Sequence, residues 1–107
     1  MIVSFEDFKK LQIRIGLIVA AEKVEGTDKL LKLSVDFGDE KRQIVSGIAQ
    51  SYAPEKLVGK QYPFLVNLEP RVIRGVESQG MLVAINVDGE AVLLKPQKKV
   101  PTGSPLT

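Results

Sequence analysis

The chain has 107 residues, 44% hydrophobic and 26% charged, with fifteen basic against thirteen acidic side chains and a formal net charge of +2. That is the balance of one ordinary globular domain, and it excludes a protein that coats polyanions through overall charge, leaving only local patches for that purpose. The chain has no cysteine and no histidine. Disulfides, thiol nucleophiles, Ser–His–Asp triads and most zinc sites are therefore out of reach, so the reading expects no enzyme, no cofactor and no metal.

No apolar run approaches the roughly 20 residues of a membrane-spanning helix. The opening MIVSFEDFKK has acids and no signal-peptide core. The expectation is a soluble, cytoplasmic protein, and a start at Met1 reads as a complete small one.

In chain order, SFEDFKKL predicts a short helix, with Ser4 as cap, acids in the first turn, lysines in the last, and Phe5, Phe8 and Leu11 on one apolar face. IRIGLIVAAEKV predicts a half-buried strand in which Ile13, Ile15, Leu17 and Val19 alternate, bent or bulged at Gly16. KLLKLSVDFG puts Leu31, Leu33, Val35 and Phe37 on one face, and Gly38–Glu40 turns it into KRQIVSGI. Pro54 starts one or two helical turns that Gly59 ends. QYPFLVNL resumes as a strand, and MLVAI and AVLL form a hairpin through Asp88–Gly89. The tail KPQKKVPTGSPLT, with three prolines, is either disordered or an extended strap. Five to seven short strands with two small helices point to an all-β fold, a five-stranded Greek-key barrel of the OB type ahead of a β-sandwich.

Asn67–Met81, NLEPRVIRGVESQGM, fits neither a short turn nor a buried strand, having two arginines three apart, two glycines and few apolar residues. Lys29, Lys32, Lys41 and Arg42 fall on or beside neighbouring strands, and one barrel face could gather them with Asn67, Arg71, Arg74, Ser78 and Gln79. Arginine forks, hydroxyls and amides suit phosphate oxygens, 2′-hydroxyls and base edges; the competing reading is an ordinary solvated surface. With Phe37 and Phe64 in strand runs and Phe5 and Phe8 on a helix face, only Tyr52 and Tyr62 remain as stacking platforms, so shape and backbone would be read ahead of splayed bases.

Jointly, DKL…VDFG, IVSGI, NL·PR·I·GVESQGM and the closing VPTGS closely resemble the tRNA-binding domain family, over nearly the whole chain. Its members are free-standing dimeric tRNA-binding proteins and the C-terminal domain or separate β subunit of methionyl-tRNA synthetase. The resemblance implies an OB barrel that is no enzyme and binds tRNA by its folded shape. It also implies a homodimer whose interface is built by the N-terminal helix and the post-barrel tail, and the methionyl-tRNA synthetase catalytic chain as a candidate partner. Residues 1–107 would be one domain, with the barrel at about 12–94 and the extension at 95–107. The family's RNA contacts map onto Lys29, Lys32, Arg42, Ser46, Asn67, Arg74 and Ser78 to Met81, with Met81 either core filler or the apolar floor of the site. Glu77 would hold the forks of Arg71 or Arg74. Val24, Glu25, Gly26 and Thr27 depart from the family's usual His-Pro and alanine, which puts that loop's part in RNA binding in doubt. A secretion-associated chaperone branch shares the fold and the dimer but differs at TDKLLKL and SQGM. A peptide-binding or assembly module of that kind is the alternative.

Overall fold

β1 (Ile13–Lys23) is long enough to pair twice, and the barrel is built on it in the computed structural model, which describes residues 1–107. Its first half runs antiparallel to β4 (Gln61–Leu65), and its second half to β2 (Leu31–Asp36). β2 pairs in turn with β3 (Lys41–Ser46), and β4 with β7 (Met81–Leu82). The resulting order β3-β2-β1-β4-β7 is that of a five-stranded OB barrel, with a 3-10 turn at Pro54–Lys56 between its third and fourth strands. Two hairpins are added to this frame: β5 (Arg71–Ile73) with β6 (Val76–Ser78), and β8 (Ala84–Val87) with β9 (Glu90–Leu93). The helix α1 (Phe5–Phe8) is capped by Ser4, whose hydroxyl accepts the Asp7 N–H at 3.1 Å.

The core is Leu31, Leu33 and Val35 of the second strand with Phe37 just beyond its end, as their alternation predicts, closed over by Ile18, Ile44, Phe64 and Leu82. Phe37 and Phe64 meet edge to face at 5.7 Å. β1 departs from expectation. Its core-facing residues are Gly16 and Ile18, whereas Val19 is exposed, and the register slips between Ile18 and Ala20. The bulge lies at that step and not at Gly16. Gly16 has another cause: a Cβ there would collide with Val35 and stand 2.8 Å from the Phe37 ring.

The first half of β1 is paired along its backbone by the tail, which is a strap. Ile15 donates to Ser104 and accepts from Gly103, Leu106 donates to Ile13, and Arg14 bridges Pro105. Arg14 fixes the strap from the side, donating to the Gly103 carbonyl at 3.0 Å, to the Phe37 carbonyl at 3.1 Å and to Asp39 at 3.1 Å.

Phe5 and Phe8 do not join the core. Phe5 is 70% exposed, and Leu11 beside them is exposed too, because a four-residue helix has no layer of its own chain to pack against. The apolar run MLVAI is likewise not one strand. It breaks at Val83, after which β8 and β9 leave the barrel as a ribbon with Ile85, Val87 and Val92 exposed.

Candidate nucleic-acid interface

The barrel must close between β3 and the stretch ahead of β7, and it closes largely through side chains. The Val45 N–H donates to the Ser78 hydroxyl at 2.9 Å, and that hydroxyl donates to the Gly80 carbonyl at 3.0 Å. The Gln43 N–H donates to the Gln79 side chain at 3.1 Å, while the Gln79 N–H donates back to the Gln43 carbonyl at 2.7 Å. Arg42 completes the seam, donating to the carbonyls of Val66 and Gln79 while Glu40 accepts from its Nε at 2.8 Å.

From this seam the puzzling stretch rises as the β5–β6 arm. Arg74 and Gly75 form its tip, both at positive φ (52° and 78°), the two-residue turn whose twist suits a hairpin. Arginine is a rare choice at such a φ, so the usual Asn-Gly signal of a hairpin is missing and the stretch reads as no regular element. The arm stands clear of the core, with Val72 71% exposed and Arg71, Arg74 and Glu77 exposed. Glu77 does not hold the arginine forks, for all three side chains lie outside every ion pair of the chain.

Across from the arm is the loop from Val24 to Leu30. Its closure is local: the Val24 N–H donates to the Leu30 carbonyl at 3.1 Å, Lys29 N–H to the Thr27 hydroxyl at 3.1 Å, and Ala49 N–H to the Lys29 carbonyl at 3.0 Å. Lys29 projects to solvent, and Lys32 on β2 is paired with Glu22 at 2.7 Å. A groove of about 330 Å³, lined by Glu22, Lys23, Val24, Glu25, Lys32 and Val76, joins this loop to the arm.

The expected site residues thus separate by employment. Lys32 lines the groove that reaches Val76 of the arm, while Lys29 on the loop and Arg71 and Arg74 on the arm are exposed. Arg42, Ser78 and Gln79 lie at the seam with polar atoms bound to backbone, and Ser78 is only 2% exposed. Asn67 is also occupied, accepting from the Gln12 N–H at 2.8 Å and donating to the Lys10 carbonyl at 2.6 Å, which ties the N-terminal segment to the barrel. Ser46, opposite Leu31, is half-buried. Met81 is 46% exposed beside Leu65, so it is not core filler; Leu82 has that place. Tyr62 is buried, and Tyr52 is half-buried against the core with its hydroxyl accepting the Leu93 N–H at 3.1 Å.

An OB barrel presenting its second and third strands between two polar loops has the architecture of an oligonucleotide-binding module. Residues 13–105 match the family model described as "Putative tRNA binding domain", and the chain belongs to that family. It is 56% identical over 102 residues to a methionine–tRNA ligase of Methanothrix thermoacetophila, covering 95% of this chain but 15% of that protein. The chain therefore spans about a sixth of the length of the ligases it matches. A MetRS-related protein from Pyrococcus horikoshii superposes with TM-score 0.95 and 44% identity, over 100% of this chain and 99% of the other. The chaperone CsaA from Bacillus anthracis superposes with TM-score 0.91 and 31% identity over the full length of both chains.

Proposed function

We propose that the chain binds folded tRNA through the face between the Val24–Leu30 loop and the β5–β6 arm, as a homodimer, and raises the tRNA affinity of a methionyl-tRNA synthetase catalytic chain, fused or separate. The observation that carries this reading is the pair of arginines on the arm, unpaired and exposed at the edge of an OB binding face, in a chain of the tRNA-binding family. Lys29 and Lys32 add cations from the loop side. The seam residues Arg42, Ser78 and Gln79, together with Asn67, set the arm's position, while Ser46 and Met81 border the face. Residues 1–107 act as one unit in this reading, barrel and strap together, without catalysis of their own, in the cytoplasm.

Support for the dimer comes from the uncovered apolar side chains. Phe5, Phe8 and Leu11 face solvent on a single chain, and an apolar groove of about 340 Å³ is lined by Ile15, Pro63, Leu94, Pro96, Val100 and Leu106. A small domain gains from covering such surface with a second copy.

The test is binding of a folded tRNA, the same RNA denatured, and duplex DNA across a salt series. Preference for the folded tRNA, reduced in Arg71→Gln/Arg74→Asn, is the expected result; equal weak binding to all three, lost at physiological salt, would sink it. The full-length likeness to CsaA and the exposed apolar row favour one second reading, a peptide-binding chaperone or assembly module. That reading requires capture of an unfolded polypeptide that survives nuclease treatment.

A further inference from the structure

A second cationic surface lies away from the arm. Lys60, Lys95, Lys98 and Lys99 line a groove of about 490 Å³ together with Tyr52, Gln61, Tyr62 and Pro96, and no carboxylate is among the lining residues. It shares no lining residue with the groove between loop and arm, and it adjoins the apolar groove offered above to a second copy, with which it shares Lys95 and Pro96. Lys60 leads into β4, which the sheet order places on the far side of β1 from β2 and β3.

Two features mark this groove as more than scattered surface lysines. The strap that carries Lys95, Lys98 and Lys99 is anchored beside it. Gln61 donates to the Val100 carbonyl at 2.7 Å and accepts the Val100 N–H at 3.1 Å, so both ends of one amide hold the backbone next to Lys99. Ordering has therefore already been achieved in the free chain, which lowers the entropic cost of binding. Second, these four cations take part in no ion pair, whereas Lys32 and Arg42 are paired with Glu22 and Glu40. Uncompensated positive charge is what counterion release requires, and no carboxylate lines this groove, whereas Glu22 and Glu25 line the groove beside the arm.

We infer that this groove is a second phosphate-binding surface, which takes a stretch of RNA backbone separate from the one held by the β5–β6 arm. The inference rests on the tRNA-binding reading above and extends it: one folded polyanion wraps from the arm across β1 to the strap. Lysines act there as point charges without base readout, so the surface contributes affinity and salt dependence but no sequence preference. Cations in two grooves with no lining residue in common, on a chain measuring 40 × 32 × 26 Å, suit a large folded RNA better than a short acidic peptide, which would fill one groove only.

The experiment uses the intact chain and folded tRNA from about 50 to about 300 mM salt, where each phosphate contact adds roughly one to the slope of log K against log salt. Lys60→Gln/Lys95→Gln/Lys98→Gln/Lys99→Gln, first shown by sedimentation to keep the wild-type oligomeric state because Lys95 also lines the apolar groove, is compared with Arg71→Gln/Arg74→Asn and with both sets combined. The groove variant is expected to bind about tenfold or more weakly at the lowest salt with a slope smaller by about two to four, and the combined variant to multiply the two losses. Wild-type affinity and slope in the groove variant, with the arm variant weakened, would overturn the second surface and leave the tRNA-binding reading standing. Failure of the wild-type chain to bind tRNA overturns both. Loss of polyglutamate binding in the groove variant with tRNA binding unchanged would also overturn the inference and assign the groove to an acidic protein partner.

Discussion

The hydroxyl of Ser78 accepts the backbone N–H of Val45, 33 positions away, at 2.9 Å, in a site where Ser78 is 2% exposed. A side chain stands there in place of a ladder partner, because β6 is turning away into the arm. Ser78→Ala leaves the Val45 N–H buried without an acceptor, and the full desolvation penalty of about 1–3 kcal/mol follows. Urea unfolding at neutral pH should show the midpoint fall by that free energy divided by the slope, with the slope unchanged; an unchanged midpoint would mean the seam is held by other bonds.

Arg42 and Arg74 should behave oppositely, although both are cations in the same region. Arg42 bonds to the Val66 and Gln79 carbonyls, so Arg42→Gln is expected to lower the melting temperature, by about 1–3 kcal/mol of stability for a charged donor lost from partly buried acceptors. Arg74→Asn keeps a residue that tolerates positive φ while removing the charge, so it should lower tRNA affinity with no change in melting. Paired melting and binding curves separate the two roles.

The strap and the core meet at two glycines. Gly16→Ala drives a methyl into Val35 and Phe37, an overpacking cost of about 1–3 kcal/mol. Gly103→Ala combines φ +93 with a collision against the Phe37 carbonyl, so it should free the strap locally. Hydrogen exchange would then show faster exchange at Gly103, Ser104 and Leu106 for Gly103→Ala, but a global loss for Gly16→Ala.

If the exposed helix face serves a second copy, Phe5→Ser/Phe8→Ser should move the sedimentation equilibrium from dimer to monomer without altering far-ultraviolet circular dichroism. A wild-type chain that is already monomeric at micromolar concentration would remove the dimer from the proposed function.

Burial, with a smaller contribution from neighbouring Tyr52, raises the Tyr62 phenol above its ordinary value of 10.0. The folded state then holds that proton more tightly than the unfolded chain. The resulting stability is fully present below pH 10 and is lost as pH climbs through the raised folded value. Tyr62→Phe should flatten the alkaline arm of a stability-versus-pH curve above pH 10 and leave it unchanged near neutrality; identical alkaline arms would place the titration elsewhere.

The hairpin at Asp88–Gly89 and the second strand were legible because local chemistry decides them: positive φ at a two-residue turn, and strict alternation over one buried face. The arm was not, because Arg74–Gly75 lacks the usual turn signal. β1 was misread because alternation alone could not tell that Gly16 and Ile18 face the core, nor that the register slips after Ile18 and leaves Val19 exposed. Lys95, Lys98 and Lys99 drew no reading from the sequence, because only the path of the strap brings them to Lys60.

The amino-acid sequence by itself determined that this is an all-β chain of the tRNA-binding family and carried the polar stretch that interrupts it. The strands are encoded in period and the polar stretch in residue type, neither of which needs a distant partner, and the family shows in motifs the chain shares with its members. The tertiary structure decided employment. Burial and hydrogen bonding across the seam turn Ser78, Gln79, Arg42 and Asn67 into supports, because a polar atom shut away from water must be satisfied inside the protein. The same closure leaves Arg71 and Arg74 free in solvent.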